Sequence, residues 1–152
     1  SFVKMFDELK VHATEYSEVV LRINSVQTYF NASMSLIDDA VRNDLFWNGE
    51  PVYTKIKDEA PTLYFDNAAV SNCIVSDGCR IYGNVEESIV FRGVTISKNT
   101  TIKNCVIMQD AHISENCHLE NVILDKNAFV RPGVRLVGHH DYPVVIGKGA
   151  GI

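Results

Sequence analysis

The chain has no apolar run long enough to cross a membrane and no segment built like a secretory signal. Both lacks set aside membrane-spanning and exported classes as the expectation. It also lacks a cationic excess, since 14 Lys and Arg stand against 19 Asp and Glu for a net charge of −5. That balance argues against nucleic acid or an anionic membrane surface as a partner. Histidine is sparse, and none lies between His12 and His112. Cysteine is confined to Cys73, Cys79, Cys105 and Cys117.

What is present is a repeat. Asn72-Cys73-Ile74-Val75, Glu87-Ser88-Ile89-Val90, Asn104-Cys105-Val106-Ile107 and Asn121-Val122-Ile123-Leu124 are one element four times, at offsets of 15, 17 and 17 residues. A fixed period of this size signals a solenoid. Branched aliphatics subdivide it: Val70, Val75, Ile81; Val85, Val90, Ile96; Ile102, Ile107, Ile113; Leu119, Leu124, Val130; then Leu136. Steps of 5, 6 and 6 residues predict a parallel β-helix of hexapeptide repeats with one side shortened. About five coils are expected, stacked at the strand spacing of roughly 4.8 Å.

The corners agree. Three residues before the apolar anchors sit Asn72, Gly78, Glu87, Gly93, Asn99, Asn104, Asp110, Asn116, Asn121, Asn127 and Gly133. All but Glu87 are types that tolerate a positive φ. Coil spacing is irregular once, where Ile81-Tyr82-Gly83-Asn84 reaches Val85 two residues early. The pattern resumes at Ile146-Gly147-Lys148-Gly149.

All four cysteines fall two residues before an anchor, a phase otherwise filled by small residues such as Ser88, Thr100 and Ala111. They read as structural free thiols. Cys73 and Cys105 share a column two coils apart, roughly 9–10 Å, beyond disulfide reach. Free thiols point to a reducing, cytoplasmic compartment.

The residue before each anchor should point outward. On two sides these are mostly polar: Arg80, Thr95, His112 and Phe129, then Thr101, His118 and Arg135. On the short side they are Ile74, Ile89, Val106 and Ile123, with Phe91 and Met108 continuing round the corner. An aliphatic column of this length should be covered. The expected cover is the N-terminal segment, an upstream domain or a neighbouring subunit. The alternative is a twist that turns the column partly inward.

The first 66 residues are not repetitive. Phe2, Met5, Phe6 and Leu9 have helical spacing. Val19–Ile23 reads as a strand. Met34, Ile37, Val41 and Leu45 mark a second helix, with Asn31 or Ser33 as N-cap. Residues 51–57 read as extended, and 58–61 as a turn. This segment is either a cap on the solenoid, which repeat proteins need, or the tail of a larger α/β domain. The start at Ser1-Phe2-Val3 has the look of a fragment.

His112 and His118 are six apart, hence on different sides, and lack a third histidine two coils earlier. This argues against a zinc site, and no metal site is expected. His139-His140-Asp141-Tyr142 interrupts the fifth coil. It reads as a polar surface loop or, alternatively, as carrying the histidine of a hexapeptide acyltransferase.

The order of segments carries a resemblance. Residues 23–37, Ile23-Asn24-Ser25-Val26 through Leu36-Ile37, are followed by Pro51-Val52-Tyr53-Thr54-Lys55-Ile56-Lys57-Asp58-Glu59-Ala60-Pro61-Thr62 and then by the coils. This combination resembles the C-terminal part of the glucose-1-phosphate adenylyltransferase (ADP-glucose pyrophosphorylase) family. Val90–Val94, Ile107–Asp110 and Leu119–Lys126 resemble its GlgD-type subunits of glycogen biosynthesis. The resemblance implies a left-handed β-helix and three parts: 1–50 as the end of a nucleotidyltransferase domain, 51–66 as a connector and 67–152 as the β-helix domain.

It further implies that ATP and Mg²⁺ serve a catalytic domain upstream, whose Gly-rich loop nothing here matches. The family's catalytic members carry a metal-holding Asp in a strand ending near Gly-Thr. Aligned on Ile23 and Tyr29-Phe30, that Asp falls on Arg22, and the Gly-Thr on Asn24-Ser25. A fixed cation there should repel Mg²⁺. The implied role is a modulatory subunit that assembles with itself or with a catalytic subunit, as a tetramer. Family members respond to small anionic effectors, for which Lys55, Lys57, Arg80, Arg92 and Arg131 are the candidates. The rival class is the hexapeptide-repeat acyltransferase.

Overall fold

In the computed structural model, which describes residues 12–47, 52–54 and 56–152, the repeat builds a three-sided parallel β-solenoid. Among the described residues two helices precede it: α1 (Val26–Ser35) and α2 (Asp39–Phe46). Coil 1 holds β1 (Leu63–Tyr64), β2 (Ala69–Ser71) and β3 (Ile74–Val75). Coil 2 holds β4 (Arg80–Ile81), β5 (Asn84–Glu86) and β6 (Ile89–Val90). Coil 3 holds β7 (Thr95–Ile96), β8 (Thr101–Lys103) and β9 (Val106–Ile107). Coil 4 holds β10 (His112–Ile113), β11 (His118–Glu120) and β12 (Val122–Leu124). Coil 5 holds β13 (Phe129–Val130), β14 (Arg135–Val137) and β15 (Val144–Ile146).

Strands of equal place in successive coils pair in parallel, giving three sheets of five strands each. The first sheet is β1-β4-β7-β10-β13, the second β2-β5-β8-β11-β14 and the third β3-β6-β9-β12-β15. Register sets like over like: Ile81 on Ile96, Val85 on Ile102 and Val90 on Ile107. Ile81, Ile96, Ile102, Ile107, Ile113, Leu119, Leu124 and Val130 have no exposed surface. Each such side chain contributes about 1.5–3 kcal/mol of burial.

The corners carry the backbone cost. Among the described residues nine non-glycines and four glycines have positive φ, including all eleven expected corner residues. Glu87 is among them at φ 47°, so the coil imposes the bend even on a residue that disfavours it. The corner thiols bond within the turn or across to the next coil. Cys79 Sγ donates to the Phe91 carbonyl at 3.1 Å, and Cys117 Sγ to that of Arg131 at 3.1 Å. Hydroxyls in the same phase do likewise: Thr100 Oγ1 donates to the Ser114 carbonyl at 2.7 Å and accepts the Cys117 amide at 3.2 Å.

Three expectations change in the N-terminal part. Stacking already begins at β1, because Leu63 and Tyr64 pair with Arg80 and Ile81 inside the stretch expected to be a connector. The residue in the anchor register there is Tyr64, exposed at the end of the stack, rather than a buried aliphatic, which hid it from the pattern. The expected strand at Val19–Ile23 forms no strand: these residues have no regular secondary structure. Its Val19 amide is held instead by the Asp44 carboxylate at 2.6 Å. The expected second helix is two helices. Ser25, not Asn31 or Ser33, caps the first through a capping box with Thr28. Asp38 caps the second. A Ser or Asp whose oxygen takes an orphan N–H starts a helix wherever the chain turns. The helix expected from Phe2 to Leu9 lies outside the described residues.

Candidate functional site

The third sheet turns its outward column toward α1. Val106 is fully buried, Ile123 is 3% exposed and Ile89 is 7% exposed. Phe30 of α1, 2% exposed, clusters with Val106 and Ile123, and Tyr29, Met34 and Met108 pack around them. Ile74 is half-buried, and Phe91 stays exposed. Gln27 of α1 adds a polar tie, donating to the His140 carbonyl of the coil 5 loop at 2.9 Å. Nothing in the spacing of the sequence points to Gln27, since its partner lies 113 residues away.

The candidate cations separate. Lys57 and Arg92 line one cleft of about 250 Å³ with Ile56, Glu59, Ser76 and Asp77. Lys57 is ion-paired to Glu59 there. Arg80 projects from the first sheet at coil 2, exposed, between Leu63 and Thr95. Arg131 is exposed at coil 5, three coils away along the axis. Lys55 lies outside the described residues. Two of the five therefore share a site, and carboxylates share it with them.

Arg22 is exposed beside α1, where a cleft of about 240 Å³ is lined by Val20, Leu21, Arg22, Thr28, Asn31, Ala32 and Ser35. That lining holds a guanidinium and no carboxylate. Such a donor set does not fit Mg²⁺, which takes carboxylate and other oxygen ligands.

The histidines divide as well. His112 stacks on Phe129 in the first sheet, centroids 5.3 Å apart. His118 stands on the second sheet, with Nε2 3.6 Å from the Glu120 carboxylate. His139, His140 and Asp141 converge in the coil 5 loop, all exposed. His140 Nε2 lies 3.0 Å from Asp141 Oδ1, and His139 Nδ1 accepts the Asp141 amide at 3.2 Å. That amide occupies one imidazole nitrogen.

The protein-family model described as "GlmU-like, C-terminal hexapeptide" matches residues 62–142. The chain belongs to this hexapeptide family. Its relatives lie where the N-terminal resemblance points. It is 42% identical over 135 residues, 89% of the chain and 39% of the relative, to the glycogen biosynthesis protein GlgD of Bacillus subtilis. GlgD of Geobacillus stearothermophilus is 43% identical over 78% of the chain and 34% of the relative. A glucose-1-phosphate adenylyltransferase of Fervidobacterium nodosum is 29% identical over 90% of the chain and 33% of the relative. This hexapeptide chain thus spans about two fifths of these relatives' length or less. No helix among the described residues is long and apolar enough to cross a membrane.

Proposed function

We propose that this chain is the C-terminal regulatory and assembly part of a glucose-1-phosphate adenylyltransferase-type subunit in glycogen biosynthesis. The observation that carries the reading is the 42% identity to a glycogen biosynthesis protein across both the helical segment and the coils. The subunit acts in the cytoplasm by modulating a catalytic partner, and its own metal site is degraded. Arg22, with no carboxylate in its cleft, supports that last point. The cleft holding Lys57 and Arg92 is the first place to look for an anionic effector, because guanidinium and ammonium groups suit phosphate.

The test is an assay of the full-length subunit for ADP-glucose formation from ATP and glucose 1-phosphate, alone and with a catalytic subunit. Little activity alone and altered kinetics of the mixture are expected. Ordinary turnover by the subunit alone would remove the modulatory reading.

A further inference from the structure

The solenoid departs from its own geometry at one corner, between the first and second sheets. In coils 1, 3, 4 and 5 that corner takes four residues: 65–68, 97–100, 114–117 and 131–134. In coil 2 only Tyr82 and Gly83 join β4 to β5. Gly83 permits the short cut, because a Cβ there would meet the Thr100 carbonyl oxygen at 2.4 Å. The four longer corners each hold a left-handed residue: Asn67, Asn99, Asn116 or Gly133. Coil 2 has none at this corner.

The two missing residues leave a notch one coil thick, a cleft of about 540 Å³. Asp66 and Asn67 of coil 1 line one side, and Lys98 and Asn99 of coil 3 the other. The backbones of coils 1 and 3 are two strand spacings apart, roughly 9–10 Å. Phe65 and Tyr82 line it too, their rings stacked with centroids 3.8 Å apart and 9° between planes. The aromatic column stops there, since Ser97 occupies the next register position.

The neighbouring corners show what such a gap lacks. Asn99 donates its side-chain amide to Asn116 of the next coil at 3.3 Å, and Asn104 donates to Asn121 in the same manner. Between Asn67 and Asn99 that rung does not exist, because coil 2 supplies no residue for it. Groups that both donate and accept, spaced across one coil, would complete the ladder.

We propose that the notch between Asp66-Asn67 and Lys98-Asn99 binds a neutral hexopyranose, free or as a unit of an oligosaccharide. A pyranose is about as thick as the missing coil corner. Its hydroxyls donate to the Asp66 carboxylate and to amide oxygens, and accept from Lys98 and amide nitrogens. The stacked aromatic pair gives it an apolar side wall, in keeping with sites that combine an apolar lining with a few convergent polar groups. Asp66 and Lys98 stand on opposite walls, and the lining holds no guanidinium for the bidentate grip that phosphate favours. The site lies apart from the Lys57–Arg92 cleft and shares none of its lining.

The experiment is calorimetric and saturation-transfer titration of the intact protein with maltose, glucose, glucose 1-phosphate and inorganic phosphate. Binding of the neutral sugars is expected, with no gain from the phosphate group. Inserting Asn-Thr between Gly83 and Asn84 restores the longer corner and fills the notch. It should weaken sugar binding by about tenfold or more, the worth of one or two hydrogen bonds. Asp66→Ala and Lys98→Ala, both at exposed positions, are second variants that keep the fold and should also weaken it. The proposal is overturned by three results: no neutral sugar signal, phosphate binding in preference to sugar, or unchanged affinity in both the insertion and the alanine variants.

Discussion

Phe30 of α1 rests against Val106 of the solenoid's short side, and both are almost wholly buried. One aromatic side chain thus joins the non-repetitive segment to the coils. Phe30→Ala should cost about 3–5 kcal/mol of the docking of α1. Hydrogen exchange would show α1 opening while the coil cores stay protected. Equal protection of α1 in variant and wild type would refute the contact. Val106→Lys places an unpaired charge in the same seam and should be worse tolerated. Phe91→Ala, at an exposed position, should change stability little.

Glu87 occupies a corner column otherwise held by Asn72, Asn104 and Asn121, at φ 47°. An L-residue without a local hydrogen-bonding side chain loses about 1–2 kcal/mol in that region. Glu87→Asn should therefore raise stability by about 1 kcal/mol, a few degrees in thermal midpoint for a chain of this size. The measurement is a thermal or urea melt, and a lower midpoint would contradict the reading.

Gly138 and Gly147 differ in kind. A Cβ at Gly138 would meet the Asn121 carbonyl oxygen at 2.4 Å and the Val144 amide nitrogen at 2.8 Å. Gly138→Ala should lift β15 from β12 and cost about 1–3 kcal/mol. At Gly147 a Cβ meets nothing within 4 Å. Gly147→Ala should be neutral or stabilise by about 0.4–1 kcal/mol. Denaturant midpoints of the two variants decide the pair.

Burial pushes the Cys105 thiol up to about 12 from 9.0, against hydrogen bonds from backbone groups that pull the other way. The folded value exceeds the unfolded one, so the folded chain holds its proton longer. Stability from this group is complete below about pH 9 and is lost as the pH rises toward 12. Cys105→Ala should flatten that part of the stability–pH curve relative to wild type. In the native state Cys105 should react with thiol reagents far more slowly than half-buried Cys73.

The coils were legible because their signal is local and repeated. Ile81, Ile96, Ile113 and their neighbours recur at fixed steps, and Asn or Gly marks each bend. Even the notch was visible as the early arrival of Val85, although its two walls were not. Asp66 and Lys98 are 32 residues apart and face one cleft only because coil 2 is short between them. The helices were less legible. Ser25 and Asp38 are ordinary polar residues until the chain turns and leaves N–H groups for them to cap.

The three-sided stack follows from the amino-acid order alone, because a period of 17 with apolar anchors buries all of them when equivalent residues stack. The same order makes one outer side aliphatic. What covers that side emerges only from the folded chain: Phe30, brought from more than seventy residues upstream of Val106. Folding also separates the candidate cations, keeping Lys57 with Arg92 and sending Arg80 and Arg131 elsewhere. Periodicity encodes contacts between equivalent residues one coil apart. Contacts between the repeat and what lies outside it depend on shape and burial, which no spacing records.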